Sequence, residues 1–335
     1  MKQRIIERFP GIGSGWVDAS GKESAKYYGF ADKENLIPVD EDTIFPACSI
    51  SKFITAICVM KLHEQKLIDI DMPVNHYLQQ WKLLTGNSTQ SDASIRSILC
   101  HTAGIVDGED SFYGLRMDGP EISLMDILEG RTSYNNRPVR VERPKGTAFE
   151  YSDAGYSVLQ LLIEDVTHKA FSDSIRDMLF DPLSLRSTFF ASSGNTARFE
   201  NRMATGYDDN ELPIPGRFPQ VPDSAASGLW STPKELLTIA DGFIKAINDE
   251  SSFLKAASAR EMARPVKDFP WTGLGVFTGG KDILVSKGWG ENGQCMMRMN
   301  CRTGEISVVM TNRNPGVDQA ESGIEWLVDR VFSAQ

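Results

Sequence analysis

Histidine is scarce in this chain of 335 residues: four are present (His63, His76, His101, His168), none in His-x-x-x-His or His-Glu-x-x-His spacing. A helical zinc site therefore has no ligand set, and neither metal nor cofactor is expected. Cysteine is thin as well, with five residues, an odd number lacking any Cys-x-x-Cys pair. That usage fits reduced thiols in a cytoplasmic protein better than a disulfide framework. There is no Gly-x-x-x-x-Gly-Lys-Ser/Thr loop and no strand-borne Gly-x-Gly-x-x-Gly, so nucleotide binding has no support. No apolar run approaches the ~18 residues of a membrane span. The segment Met1 to Pro10 starts basic but has no apolar stretch behind it, so no signal peptide is expected there. Positive charge is in deficit, 35 Lys and Arg against 45 Asp and Glu, for a net charge of −10. Nucleic acid and anionic membranes are poor partners for such a chain. A small molecule or short peptide remains as the substrate class.

What is present is more pointed. The stretch Phe45-Pro46-Ala47-Cys48-Ser49-Ile50-Ser51-Lys52 opens the apolar run Phe53 to Met60, which reads as a buried helix running to about Gln65. Positions i and i+3 share a helix face, so Lys52 can reach back to the Ser49 hydroxyl. The helix N-terminus adds positive potential and free N–H groups at the same point. A serine beside an amine is one way of making a nucleophile from an unreactive alcohol. Spacing alone does not single it out, because Ser-x-x-Lys recurs at Ser231/Lys234 and Ser252/Lys255. Ser231 leads into Thr232-Pro233, a helix start with proline in its first turn, and Ser252 precedes no long apolar run.

The organisation along the chain suggests two subdomains, as its length does. Residues 11–39 read as two strands joined at Ser20-Gly21-Lys22. Residues 66–224 read mainly as helices and loops, with helical spacing at Ile95 to Leu99, Ser123 to Leu128 and Gly155 to Val166. Leu212 to Pro222 is a proline- and glycine-rich loop. Four strand-like runs follow: Leu274 to Phe277, Asp282 to Val285, Cys295 to Met299 and Ile306 to Met310. A last helix is expected from Val317 to Phe332, with Ile324, Leu327, Val328 and Val331 on one face. The fold class that results is α/β. Residues 1–65 and 225–335 form a discontinuous domain with an antiparallel sheet flanked by helices. Residues 66–224 form a largely helical second domain inserted between the two parts.

Several blocks in order carry a resemblance. They are Asp42-Thr43-Ile44-Phe45 ahead of Ser49-Ile50-Ser51-Lys52, Ser97 to Ile105 with His101-Thr102-Ala103-Gly104, and Pro144-Lys145-Gly146 leading to Tyr151-Ser152-Asp153. Asp181-Pro182-Leu183 with Thr188, and Ala226 to Thr232, complete the set. Together they resemble the serine β-lactamase and penicillin-binding-protein superfamily, in the branch of class C β-lactamases, D-alanyl-D-alanine carboxypeptidases and related esterases. The resemblance implies a serine hydrolase, with its site in the cleft between the two domains, that cleaves an ester or amide through a Ser49 acyl-enzyme. It casts Lys52 and Tyr151 as the other catalytic groups. Asp153, Lys287, Trp289 and Gly290 would bind substrate, with the Gly290 N–H joining that of Ser49 in an oxyanion hole.

Two positions depart from the family pattern. Asp153 stands where Tyr-x-Asn has asparagine; the literal Tyr134-Asn135-Asn136 lacks the lead-in and the following helix. Lys287-Gly288-Trp289 stands where the third motif reads Lys-Thr-Gly, and Trp289 serves there as packing or as a substrate wall. Lys52 works as a base only if its pKa falls from about 10.4 toward 7. Lys287 would push it down by like charge. Asp153 would hold it up, unless that carboxylate pairs with Lys287 instead. Two alternatives share this constellation: an acyltransferase using the same acyl-enzyme, and a non-catalytic sensor of acylating ligands. His101 is expected to order its loop rather than act chemically.

Overall fold

The computed structural model describes residues 2–113, 122–191, 196–218, 221–250 and 253–330. Its centre is a seven-stranded antiparallel sheet drawn from the two ends of the chain. Gly11–Val17 pairs with Glu23–Asp32, the expected hairpin, and on its other side with Ile306–Thr311. The sheet continues through Gly293–Asn300 and Ile283–Gly290 to the short edge strand Phe277–Thr278. Ile37–Pro38 closes the opposite edge.

Each face of the sheet is covered. On one side Ile12, Val285, Met296 and Val309 pack against Ile5, Phe9, Ile324, Leu327 and Val328 from the terminal helices. On the other side Met297, Met299, Ile306 and Val308 join a large apolar cluster with helices Ile50–Glu64 and Pro233–Ile247. That cluster runs on without a break into the mainly helical residues, through Ile95, Leu99, Leu159, Leu162 and Phe190. Helix Ile50–Glu64 is buried on nearly every side, which is why its sequence is apolar almost throughout rather than striped. Among the described residues no helix is long and apolar enough to cross a membrane.

Two expected elements come out differently. Of Leu274 to Phe277 only Phe277 enters a strand. The backbone before it is committed elsewhere: Leu274 N–H bonds to Met262 O and Gly275 N–H to Leu99 O. The last helix is split into Gln319–Ser322 and Ile324–Arg330. Gly323 breaks it at φ +92°, where a Cβ would stand 2.8 Å from Ile5. Val331 lies outside the described residues, as does Ser252.

Candidate active site

Strand Phe45–Cys48 pairs with Leu229–Ser231 and ends at the nucleophile turn. Cys48 has φ +45°, a left-handed conformation that costs an L residue about 1–2 kcal/mol. Ser51 holds the turn: its hydroxyl donates to Cys48 O at 2.5 Å and accepts from Leu229 N–H at 2.9 Å. Ser49 then occupies the helix N-cap, yet its side chain caps nothing. Its Oγ instead accepts from Lys52 Nζ at 3.1 Å. The other Ser-x-x-Lys serine that is described, Ser231, is fully buried and shares a 2.7 Å hydrogen bond with Thr188. Thr232 caps its helix and Pro233 starts it.

Lys52 is 3% exposed. Besides Ser49 it donates to Ala226 O at 3.0 Å and pairs with Asp153 Oδ1 at 2.5 Å. Burial pushes its pKa down, but the Asp153 carboxylate and the Tyr151 hydroxyl outweigh this and hold it above the ordinary value. Of the two partners open to Asp153, the fold selects Lys52. At rest Lys52 is thus an ammonium that donates to Ser49.

Asp153 is the first residue of helix Asp153–Thr167, whose apolar stripe fixes it against the core. The N-cap Ser152 accepts from Gly155 N–H at 2.9 Å and donates to Asp107 at 2.6 Å. Asp107 also accepts from the N–H groups of Asp153 and Ala154 at 2.7 and 3.2 Å. Burial and the charge of Asp153 push Asp107 up to about 6, against those hydrogen bonds. On the other side of Asp153, Tyr134 donates to the buried Asp223 at 2.7 Å. Burial and the charge of Asp153 raise the Asp223 pKa well above its ordinary value, with the Tyr134 hydrogen bond and Lys52 opposing. Tyr134, from the literal Tyr-x-Asn, thus lies beyond Asp153, while Tyr151 meets the nucleophile.

Tyr151 is 41% exposed; Lys52 Nζ stands 4.8 Å from its ring centroid, and its hydroxyl end lies close enough to Ser49 and Lys52 for both to favour the phenolate. Burial of that end and the charge of Asp153 raise its pKa, with Lys52 opposing, which keeps the phenol protonated. His101 stacks on the ring at 4.5 Å and accepts Ser152 N–H through Nδ1 at 3.1 Å. Burial and Lys52 hold its pKa well below the usual value, so the ring is neutral. His101 positions the Tyr151 loop.

The strand Ile283–Gly290 borders the nucleophile, and its phase corrects two expectations. Cys301 N–H bonds to Asp282 O on the inner side, and Gly279 N–H to Ile283 O on the outer. Ladder bonds alternate along an antiparallel strand. Residues 284, 286, 288 and 290 therefore pair inward with residues 299, 297, 295 and 293. Gly290 N–H is spent on the hairpin, so it is not the oxyanion donor. The edge strand opposes only Leu284 and Val285, which leaves the N–H groups of Lys287 and Trp289 facing outward. Side chains alternate too. Ser286, Gly288 and Gly290 face the nucleophile turn, where Cβ atoms on the two glycines would collide with Ala47, Cys48 or Cys295. Lys287 and Trp289 share the face of Val285, so Lys287 is not the like charge set against Lys52, although it borders the cleft. The Trp289 indole, 40% exposed, donates to Asn314 at 2.7 Å.

Two hollows border the nucleophile turn, one beside Cys48 and one reaching Ser49. One, of about 90 Å³, is lined by Asp153, Tyr134, Tyr113, Trp289, Glu291 and Asn292 among others. The other is a crevice of about 10 Å³ reaching Ser49, Lys52, Tyr151, Ser286 and Phe277. Sequence reading missed Asp107, Asp223 and Ser51. The first two stand in loops with no spacing signal. Ser51 had one, as the second serine of Ser-x-Ser-Lys, beside a helix that had to be anchored.

The family model described as Beta-lactamase matches residues 3–329. The teichoic acid D-alanine hydrolase of Staphylococcus aureus is 26% identical over 227 residues, 67% of this chain and 52% of that protein. Esterase EstB of Burkholderia gladioli is 27% identical over 197 residues, 57% of this chain and 48% of its own length. The chain thus spans about half the length of these curated relatives. Among solved structures, the D-amino acid amidase of Ochrobactrum anthropi SV3, crystallised with L-phenylalanine, superposes with a TM-score of 0.81 at 22% identity. The match covers 99% of this chain and 96% of that one, a likeness of fold.

Proposed function

The chain belongs to the beta-lactamase family, and from that premise we propose that it is a serine hydrolase of esters or amides whose acyl part carries a free amine. D-Aminoacyl groups are the favoured case. The observation that carries this reading is the 2.5 Å Lys52–Asp153 ion pair, with its carboxylate on the wall of the 90 Å³ hollow. A substrate ammonium placed there shares the carboxylate with Lys52 and adds a like charge beside it. Both effects lower the Lys52 pKa. The substrate itself thereby releases the base.

Ser49 Oγ then gives its proton to Lys52 as it attacks the carbonyl. The N–H groups of Ser49 and Trp289 take the oxyanion, a donor of this kind being worth about 2.7–4 kcal/mol in the transition state. The Tyr151 hydroxyl passes a proton to the leaving alcohol or amine. Water resolves the acyl-enzyme, releasing the acid and Ser49. The relatives support the substrate class, since one is named a teichoic acid D-alanine hydrolase and another a D-amino acid amidase.

The test compares D-alanine methyl ester with its N-acetyl derivative and with the L-enantiomer, using Ser49→Ala as control. The free D-amine should be turned over at least tenfold faster, and only with Ser49 present. Equal or faster cleavage of the N-acetyl ester refutes the amine reading. Product ester formed from an added alcohol would mark the acyltransferase alternative.

A further inference from the structure

We infer that the leaving group of this reaction is aromatic, and that Trp271 selects it. The inference rests on the serine hydrolase reading above, and it concerns the opposite side of Ser49 from Asp153. Tyr151 fixes which side that is. In the reaction read above its hydroxyl protonates the departing atom, which must therefore come to it, and Tyr151 lines the narrow crevice rather than the acidic hollow.

Tyr151 and Phe277 line the crevice, and an aromatic row runs on from them beyond its mouth. Tyr151 stacks near-parallel on Phe277 with centroids 6.3 Å apart. Phe277 meets Phe149 at 6.4 Å, Phe149 meets Trp271 edge-on at 6.0 Å, and Trp271 meets Phe269 at 5.7 Å. At about 10 Å³ the crevice cannot engulf a group. A leaving group must lie along the row's open face. Trp271 ends that face 49% exposed.

The indole is not a loose surface residue. Trp271 O accepts Thr278 N–H at 2.9 Å, and the Thr278 hydroxyl bonds Pro270 O, which ties the loop to the edge strand. Phe149 and Phe269 fix the ring from two directions. A half-exposed indole, held edge-on by its neighbours at the end of an aromatic row that starts at Tyr151, offers its free face to one thing on the reaction path, the ring of a departing alcohol or amine. Aromatic contacts of this kind add to the area they bury. An aliphatic leaving group would leave the indole uncovered.

The measurement is kcat/KM for D-alanine benzyl ester against D-alanine methyl ester. The two share an acyl group and have leaving alcohols of similar acidity. The benzyl ester should be preferred about tenfold. Trp271→Ala should bring the ratio to within about twofold, mainly through KM, and Trp271→Phe should restore most of it; thermal unfolding confirms that both variants fold. A wild-type ratio near one overturns the inference, as does a preference that survives Trp271→Ala. Failure of the amine reading is separable. If benzyl and methyl acetate are cleaved as well as the D-alanyl esters, that reading falls, and the benzyl-to-methyl ratio still decides the role of the aromatic row. If no ester turns over, benzyl alcohol should still slow fluorophosphonate labelling of Ser49 in wild type and not in Trp271→Ala; equal protection, or none, overturns the inference.

Discussion

Replacing Asp153 by asparagine removes one charge at nearly constant shape and tests whether that carboxylate governs Lys52. The pair is 2.5 Å apart and Lys52 is 3% exposed. At an effective dielectric of ~20, unit charges about 4 Å apart attract by ~4 kcal/mol, equivalent to roughly three pKa units. A lysine at its ordinary value is unprotonated in only about one molecule in 2,500 at pH 7, and Asp153 makes the free amine rarer still. With asparagine in place the burial effect, which pushes the pKa down, is far less opposed. Each unit of fall multiplies the free amine tenfold.

The assay is kcat/KM against pH for a neutral ester and for its amine-bearing counterpart, in both proteins. For the neutral ester, Asp153→Asn should move the acid limb down by at least about two units and raise the rate at pH 7 at least tenfold. The amine-bearing ester should lose its advantage, because asparagine offers no charge to an ammonium. The ratio between the two esters should fall about tenfold, to near one. An unmoved acid limb, with both substrates slowed alike, would refute the reasoning and make Asp153 a structural partner only. Stability follows with a definite sign. The folded pKa of Lys52 is raised, so the pair's contribution is full below about pH 10.4 and is lost as pH rises through the folded value. Wild type and variant should therefore converge in stability at strongly alkaline pH.

Fluorophosphonate should label Ser49 alone, since Ser231 is fully buried and bonded to Thr188; peptide mapping of adducts to Ser231, or labelling that persists in Ser49→Ala, would contradict this. Asp107 binds its proton more tightly when folded, with a pKa pushed up to about 6. Stability should therefore fall from pH 4 to pH 7, and denaturant titrations should show Asp107→Asn losing about 2–3 kcal/mol less over that range. Gly288→Ala drives a Cβ into Ala47 O and Cys295 Sγ. It should cost about 1–3 kcal/mol and lower kcat more than it changes KM, read from melting curves and steady-state kinetics. Penicillins, which carry a carboxylate, should acylate wild type poorly and Asp153→Asn about tenfold faster, as like-charge repulsion of ~1.4 kcal/mol is relieved; intact-mass kinetics decide it.

How much of this was legible depended on whether a residue's role is written in periodicity or in contact. Ser49 and Lys52 meet because a helix brings i and i+3 together, so their spacing was enough once the apolar run after them marked a helix. Tyr151 and Asp153 were placed by the helix that starts at Asp153, whose stripe at 156, 159, 162 and 163 is plain in the chain. The strand beside the nucleophile was the opposite case. A strand's facing is read from alternation between apolar and polar residues, but Gly288 and Gly290 have no side chain to mark a face, and Lys287 and Trp289 carry the chemical interest. The motif drew attention to the marked residues, while the fold turned the unmarked ones toward Ser49. The same physics explains the glycines, because the face that approaches the nucleophile turn most closely has no room for a Cβ. What remains of the strand for chemistry is its open edge, where the outward N–H of Trp289 needs no particular side chain. A one-residue difference in phase thus leaves the N–H of Trp289, rather than that of Gly290, on the open edge and sets Lys287 on the face of Val285. Asp153 is left as the charge that decides whether Lys52 is acid or base.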